Sequence, residues 1–311
     1  MQLKHVIESQ QFTRKKLEEL FDIAKHLEGL YDTRHKVSHT LNELRGKIMI
    51  SLFYEPSTRT RMSFEAAMIR LGGSVISTEN AAKFSSASKG ETLEDSIRVL
   101  SGYGDVIVMR HYEAGAAKRA SFVSEVPVIN AGDGTGQHPT QALLDIYTIQ
   151  KELGKIDDIS IAMVGDLANG RTVRSLCYLL AKFDNVKVYF VSPPNVMMKD
   201  DIKDYFNKHN ISFEENSNLL EVASKVDVIY QTRIQRERFV SAEEYEKTKG
   251  IYIMDKEVMS VLPQSSIVMH PLPRVDEIKY EVDKDPRAAY FRQAHNGLYV
   301  RMALLTILLQ G

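Results

Sequence analysis

The sequence predicts an α/β protein with two doubly wound parallel-sheet domains joined by a long helix. The chain has 311 residues, which suggests about two domains at roughly 100–200 residues each. Apolar runs rich in Val and Ile alternate with amphipathic helical patterns, as in parallel sheets covered by helices. A single long helical pattern separates two such series near residue 145.

Eight runs have the composition of buried parallel strands. They are 47–54, 74–78, 105–110, 126–131, 159–166, 186–192, 227–233 and 266–272. The helical patterns between them stop at glycines, for example at Gly72-Gly73. Residues 79–91 are small, polar and serine-rich, and we predict a functional loop there.

The domain boundary is predicted inside the helix 138–154, because a new strand–helix series starts directly after it. The first domain then covers 1–145, and the C-terminal helix 288–311, which has no strand after it, must pack on one of the domains. The second domain covers 146–287.

Composition narrows the classes of function and compartment. The formal net charge of −1 indicates neither a nucleic-acid nor a membrane partner, and no apolar stretch is long enough to span a bilayer. Cys177 is the single cysteine, so an internal disulfide is excluded, and its apolar helical surroundings predict a buried packing residue. The N-terminus does not resemble a secretion signal. We therefore expect a cytoplasmic protein.

The stretch Ser57-Thr58-Arg59-Thr60-Arg61 follows the first strand, at the predicted start of a helix. The free N–H groups of a helix N-terminus favour an anion, and hydroxyl and guanidinium groups add donors suited to phosphate. The stretch therefore indicates a phosphate site. A serine cap followed by solvent-facing arginines is the alternative.

A second strand-to-helix turn, in residues 164–176, contains Gly165, Gly170 and Arg171. Its spacing does not fit the G-x-G-x-x-G fingerprint, so a nicotinamide site is not favoured. Arg171 is predicted to bind a carboxylate or phosphate, or else to be a surface charge at a helix start.

Arginines recur at the carboxyl ends of predicted strands, where ligands of open α/β sheets bind. They are Arg59, Arg110, Arg171 and Arg233. Four guanidinium groups around one crevice repel one another unless anions neutralise them. This pattern predicts a ligand with several negative charges.

His138 and Gln141 are three residues apart at the start of the long helix and should face the same side. The helix dipole disfavours a charged imidazolium there, so a neutral His138 could donate a hydrogen bond to a carbonyl oxygen. Helix capping is the competing interpretation, and His270 has the same ambiguity. No histidine or cysteine spacing indicates a metal site.

Seven segments, in order along the chain, resemble the aspartate carbamoyltransferase catalytic chain family. They are EPSTRTR (55–61), KGETLEDS (89–96), VMRH (108–111), NAGDGTGQHPTQALLD (130–145), VGDLANGRTVRSL (164–176), TRIQRERF (232–239) and HPLPRVDEI (270–278). The family transfers the carbamoyl group of carbamoyl phosphate to L-aspartate, early in pyrimidine synthesis. The resemblance therefore implies a transferase that needs no cofactor, with a carbamoyl phosphate-binding first domain and an aspartate-binding second domain. It also implies that the C-terminal helix 288–311 packs back on the first domain.

The resemblance also implies a role for each matching residue. The implied catalytic residues are Arg59, Thr60, Lys89, Arg110 and His138. Those implied to bind carbamoyl phosphate are Ser57, Thr58, Arg59, Thr60, Arg110, His138 and Gln141. Those implied to bind aspartate are Lys89, Arg171, Arg233, Gln235, Leu272 and Pro273, the last two through backbone carbonyls next to a cis Leu272-Pro273 bond. Arg110 would also contact the aspartate α-carboxylate.

The resemblance further implies a homotrimer in which Ser85 and Lys89 enter the active site of a neighbouring chain. The segments DLANGRT and YQTRIQRERF lean towards the plant-type branch and its bacterial relatives. That branch implies UMP as a feedback ligand, and Phe84 matches an aromatic of its loop. A separate regulatory chain stays open.

The sequence disfavours three rival functions. Ornithine carbamoyltransferase shares the S-T-R-T-R element, but its pattern has a cysteine where this chain has HPLP, and the second-substrate segments here are basic. A basic pocket suits a dicarboxylate better than a diamine. A non-catalytic scaffold would have lost Arg59, Lys89, Arg110 or His138. A nicotinamide oxidoreductase lacks its fingerprint.

Overall fold

The computed structural model describes residues 3–34, 41–84, 89–234 and 250–310, without the side chains of 31–34 and 84. The chain forms two compact units, one of residues 1–143 with 296–311 and one of residues 144–295. Each unit contains its own parallel β-sheet. The predicted fold class is confirmed, including the long helix between the sheets and the return of the C-terminal helix to the first unit.

The first unit is built on four parallel strands in the order β2-β1-β3-β4. The strands are β1 (Ile48–Phe53), β2 (Ser74–Glu79), β3 (Val106–His111) and β4 (Val128–Asp133). Its helices are α1 (Arg14–Arg34), α2 (Thr58–Arg70), α3 (Ala81–Phe84), α4 (Leu93–Ser101) and α5 (Ala116–Val123), and α6 (Pro139–Leu153) begins here. The central strands are buried on both faces, which explains their continuous apolar sequences.

The second unit is built on five parallel strands in the order β7-β6-β5-β8-β9. The strands are β5 (Ser160–Val164), β6 (Lys187–Val191), β7 (Ser212–Asn216), β8 (Val228–Gln231) and β9 (Ile267–Met269). The helices are α7 (Arg171–Leu180), α8 (Asp200–Lys208), α9 (Leu219–Ala223), α10 (Lys256–Val261) and α11 (Tyr290–Gln310), which ends in the first unit. Short 3-10 helices span Ser9–Gln11, Pro194–Val196 and Tyr280–Lys284.

Both sheets reverse their direction of strand addition at a central pair. In the first sheet the reversal lies between β1 and β3, and in the second it lies between β5 and β8. Open α/β sheets bind ligands outside the carboxyl ends of such strands, because the connections diverge there and leave a crevice. The fold therefore marks one edge of each sheet as a candidate site.

Two local predictions differ from the structure. The eight predicted strands are present, but β7 was not predicted, because its sequence SFEEN is charged and lies at an exposed sheet edge. The predicted loop 79–91 contains the end of β2 and the short helix α3.

Cys177 is fully buried in α7, and burial raises the pKa of its thiol. Within the described ranges, no helix has the length and apolar character needed to cross a membrane.

Candidate active site

The N-terminus of α2 follows the carboxyl end of β1. Ser57 is the residue before the helix, but its side chain makes no capping hydrogen bond, and the first turn of α2 holds no acidic residue. The Ser57 backbone N–H instead donates to the Glu79 carboxylate at 3.1 Å. Thr58 and Arg59 are exposed, whereas Thr60 is buried. The positive end of this helix thus keeps N–H and hydroxyl donors for an anion.

Arg110 lies at the end of β3, opposite Phe53 of the neighbouring β1. Its guanidinium donates to Ser57 Oγ at 3.3 Å and to Glu55 at 3.4 Å. The pKa of Arg59 is lowered, first by partial loss of water around its guanidinium and then by the positive charge of Arg110. Because the two positive charges repel each other, an anion bound beside them would be stabilised.

Arg61, the second arginine of the same stretch, has a different environment. Its guanidinium pairs with Glu65 at 3.4 Å and with Glu79 at 3.1 Å, and it also donates to Ser77 Oγ at 3.3 Å. These contacts tie α2 to β2. Arg61 therefore has carboxylate partners within the fold, and we leave it outside the candidate site.

His138 and Gln141 lie at the start of α6, after the carboxyl end of β4, and both side chains are buried. The preceding loop is organised by Asp133, whose carboxylate accepts from the N–H groups of Gly115 and Gln137, each at 2.8 Å. Gly134 has a φ of +49°, and a Cβ there would lie 2.3 Å from the Tyr112 carbonyl oxygen. The loop geometry that delivers His138 therefore requires this glycine.

The second sheet has a similar edge. Gly165 follows β5 with a φ of +115°, and a Cβ there would lie 2.4 Å from the carbonyl oxygen of Thr232, which follows β8. Arg171 starts α7 and Arg233 follows Thr232, so the two arginines flank the reversal of this sheet. The side chain of Thr172, the next residue of α7, hydrogen-bonds Tyr230.

The turn after β9 carries the last predicted residues. Leu272 has a φ of +54° and the Leu272-Pro273 peptide bond is cis. A left-handed conformation costs a leucine about 1–2 kcal/mol, so neighbouring contacts must hold it. The Leu272 side chain is half-buried and Pro273 is exposed, which leaves the backbone of the turn at the surface of its unit.

The remaining predicted residues are in or beside the segments outside the described ranges. Lys89 is described and exposed. Ser85 and Gln235 lie outside the described residues. Phe84 ends α3, and its side chain also lies outside what is described. Within the first unit the structure thus brings Arg59, Arg110 and Ser57 together.

Two acidic residues that shape these edges were not predicted. Asp133 holds the loop before His138, and Asp166 accepts from the backbone N–H of Asn169 at 3.0 Å in the turn before α7. Both lie in stretches with a readable signal, because Asp or Asn next to glycine is typical of turns stabilised by a side-chain oxygen. The spacing D-x-x-N in 166–169 carries that signal directly.

Two family models together match nearly the whole chain. A family model for the aspartate/ornithine carbamoyltransferase carbamoyl-P binding domain matches residues 4–151. A second model, for the Asp/Orn binding domain of the same family, matches residues 157–308.

Individual relatives are aspartate carbamoyltransferases of plants. The chain is 62% identical over 311 residues to the chloroplastic aspartate carbamoyltransferase of Arabidopsis thaliana, covering 100% of this chain and 79% of the relative. The chloroplastic enzyme of Oryza sativa is 61% identical over 313 residues, covering 100% of this chain and 86% of that protein. These values confirm the leaning towards the plant-type branch.

Solved structures of aspartate transcarbamoylases share the fold of this chain. The catalytic subunit of Methanocaldococcus jannaschii aspartate transcarbamoylase superposes with a TM-score of 0.92 at 51% identity, covering 99% of this chain and 98% of that one. The Trypanosoma cruzi enzyme, solved with carbamoyl phosphate and aspartate, gives a TM-score of 0.90 at 42% identity, covering 98% and 95%.

One prediction is corrected by these relatives. We expected a cytoplasmic protein, but the Arabidopsis and rice relatives are named as chloroplastic enzymes, and that expectation is wrong. A single cysteine fits a reducing compartment, but that composition does not distinguish one such compartment from another.

The matches extend over both sheets and include the segments that carry the candidate residues. The chain therefore belongs to the aspartate/ornithine carbamoyltransferase family, and it is an enzyme of the aspartate carbamoyltransferase type.

Proposed function

We propose that the two sheet edges divide the substrates of carbamoyl transfer between them. Residues 1–145 with 288–311 bind carbamoyl phosphate, and 146–287 bind L-aspartate. The observation that carries the assignment is the Arg59–Arg110 pair beside a helix N-terminus that has no side-chain cap. The pKa of Arg59 is lowered there, first by partial loss of water and then by the charge of Arg110. A phosphate group bound there offsets the repulsion between the two guanidinium groups and accepts hydrogen bonds from the N–H groups of the helix N-terminus.

The carbamoyl phosphate residues act on the leaving group and on the carbonyl oxygen. Ser57, Thr58, Arg59 and Thr60 bind the phosphate. Thr60, Arg110 and His138 donate to the carbonyl oxygen, which gains negative charge when the amine attacks, and Gln141 binds the carbamoyl amide. Donors already in place for that charge stabilise the transition state more than the ground state.

The aspartate residues hold a dicarboxylate and present its amine. Arg171 and Arg110 bind the α-carboxylate, and Lys89, Arg233 and Gln235 bind the β-carboxylate. The carbonyls of Leu272 and Pro273 accept hydrogen bonds from substrate N–H groups. A carbon–nitrogen bond then forms while the bond to the phosphate oxygen breaks, and the departing phosphate takes the amine proton. No covalent intermediate is required, because the enzyme only orients two anions and stabilises charge.

We also propose a homotrimer in which Ser85 and Lys89 complete the site of the neighbouring chain. The surface of α2 and β2 supports association, because Met62, Ile69 and Ile76 are each more than half exposed. Met62 and Ile69 are seven residues apart and share a helix face. UMP binding over the active site near Phe84, and a separate regulatory chain, are further parts of the proposal.

One set of measurements tests these proposals. The purified chain is incubated with carbamoyl phosphate and either aspartate or ornithine, with and without millimolar UMP, and its mass is recorded by light scattering. We expect carbamoylated product with aspartate and none with ornithine. We also expect inhibition by UMP and a mass three times the 35.3 kDa of one chain. Unchanged rates with UMP remove the feedback proposal, and a monomeric mass removes the shared site.

Mixing two inactive variants tests the sharing of residues. Arg59→Leu and Lys89→Gln place their defects on opposite sides of a shared site, so about a quarter of the sites in randomly mixed trimers regain both residues. We expect the unfolded and refolded mixture to recover activity that neither variant has. Two Arg59→Leu preparations treated in the same way are the control and should recover none.

A further inference from the structure

The turn after β9 holds an unfavourable backbone conformation at a surface position. Leu272 lies in the left-handed region, while Pro273 beyond it is exposed. A non-glycine residue persists in that region only where its surroundings fix it. The contacts that fix it are therefore the ones that set the direction of the carbonyls in this turn.

The His270 side chain makes the closest of these contacts. Its Nδ1 accepts a hydrogen bond from the Leu272 backbone N–H at 2.8 Å. Its Nε2 lies 2.8 Å from Glu277 Oε1, and the two side chains are 1% and 8% exposed. Because Nδ1 accepts, the proton of the neutral ring is on Nε2 and is donated to Glu277. The carboxylate thus selects the tautomer that can hold Leu272.

The same carboxylate also closes the far side of the turn. Glu277 Oε2 accepts from the backbone N–H groups of Val275 and Asp276 at 3.0 and 3.1 Å. Burial alone would raise the pKa of Glu277, but the hydrogen bonds from His270 and from backbone N–H groups outweigh it and lower the pKa. The carboxylate therefore stays charged and remains an acceptor for all three donors.

The backbone of His270 is anchored as firmly as its ring. Its N–H donates to Gln293 Oε1 at 2.8 Å, and Gln293 Nε2 donates to the buried Asp145 at 2.7 Å. The other oxygen of Asp145 accepts from the Tyr230 hydroxyl at 2.7 Å. The imidazole thus stands on a buried hydrogen-bond network and reaches the turn from a fixed position.

We infer that His270 is a positioning residue for the aspartate end of the site, acting through the Leu272 N–H to orient the carbonyls of Leu272 and Pro273. The inference rests on the proposed role of those carbonyls as acceptors for the substrate. It resolves the ambiguity that the sequence left at His270. The ring acts through backbone geometry and does not touch substrate.

Two substitutions separate the two hydrogen bonds of the ring. In His270→Asn the amide oxygen takes the place of Nδ1 and keeps the acceptor for Leu272. In His270→Gln the longer amide reaches the place of Nε2 and keeps the contact with Glu277, but the Leu272 N–H loses its acceptor. His209→Gln is the matched control, because the ring of His209 bonds the Tyr205 carbonyl at the end of α8.

The readout is KM for aspartate against KM for carbamoyl phosphate. Loss of one positioning hydrogen bond is expected to raise the aspartate KM of His270→Gln about tenfold, with the carbamoyl phosphate KM within about twofold of wild type. We expect His270→Asn to stay within about threefold for both substrates. Equal aspartate KM values in the two variants, or parallel increases for both substrates, overturn the inference.

A second measurement covers variants that fail to fold. In the ¹⁵N-histidine spectrum of the wild-type protein at neutral pH, the His270 ring is expected to be neutral with its proton on Nε2. A charged His270 ring, or one with its proton on Nδ1, overturns the inference. If the wild-type enzyme catalyses carbamoyl transfer and variants at Leu272 and Pro273 keep its aspartate KM, the proposed role of the turn fails, and the inference fails with it.

Discussion

The two sheets differ in how they bring cationic and polar groups to their carboxyl edges. In the first unit, most candidate residues come from one stretch at the start of α2, and Arg110 of the neighbouring strand joins them through Ser57. In the second unit, single residues follow three adjacent strands, β5, β8 and β9. A compact phosphate suits a helix N-terminus, whereas a dicarboxylate has two charged ends that need separated partners. The carboxyl edge of a parallel sheet can therefore carry either a cluster at one helix start or single residues spread over several strands.

The largest expected effect tests the compact arrangement. Replacing Arg59 with leucine removes the proposed donor to the leaving phosphate, so kcat is expected to fall about 10²–10³-fold. The aspartate KM should change much less, because the second edge stays intact. Steady-state kinetics with each substrate varied in turn measure both values.

Arg61→Leu is the matched control for that experiment. Arg61 lies on the same helix but pairs with Glu65 and Glu79. We expect lower stability with kcat close to wild type. Equal losses of kcat and of aspartate binding in Arg59→Leu would contradict the division between the two edges.

The second prediction tests the dispersed arrangement. Arg171→Leu removes a proposed charged partner of aspartate and is expected to raise the KM for aspartate about 10–100-fold, as the loss of charge-assisted hydrogen bonds predicts. Arg174→Leu is the control one turn along the same helix, where Arg174 pairs with Asp201. A comparable increase in both variants would show that the effect comes from α7 as a whole.

The third prediction crosses the two edges. Gly134→Ala and Gly165→Ala each force a Cβ against a backbone carbonyl, so each is expected to destabilise the protein by about 1–3 kcal/mol. Gly134→Ala should raise KM mainly for carbamoyl phosphate, and Gly165→Ala mainly for aspartate.

Thermal unfolding and kinetics together measure these effects. Gly29→Ala is the control, because a Cβ there meets nothing within 4 Å and alanine favours a helix interior. The comparison of the two edges fails if both glycine variants affect the same substrate.

The smallest expected effect concerns pH. Glu277 has a lowered pKa in the folded protein, so its carboxylate stabilises the fold above its ordinary value of 4.5. That stabilisation is lost as the pH falls through the lower folded-state value. Glu277→Gln should therefore be less stable than wild type by about 1 kcal/mol near pH 6, with the difference shrinking below about pH 4. Urea unfolding over a pH series measures it, and a difference that grows on acidification would contradict the assignment.

The sequence predicted the parts of this molecule that rest on local pattern. Continuous apolar runs indicate the buried strands. The positions of Arg59 and Arg110 relative to those runs were enough to place both residues at strand ends. The strand β7 could not be predicted, because its charged residues follow no buried pattern. Contacts between distant residues were equally out of reach. Nothing near His270 in the sequence indicates Gln293 or Asp145 as members of its network.

The Asp145–Gln293 hydrogen bond has a consequence for chain topology. Asp145 follows the point where the chain enters the second unit, and Gln293 precedes the point where it leaves. The two ends of a 152-residue segment, 144–295, are therefore pinned side by side through one buried side-chain pair. The second unit is therefore an insertion in the sequence of the first, and the two ends of the insertion are adjacent. Loops within such an insertion can lengthen or shorten without changing the gap that the rest of the chain must bridge.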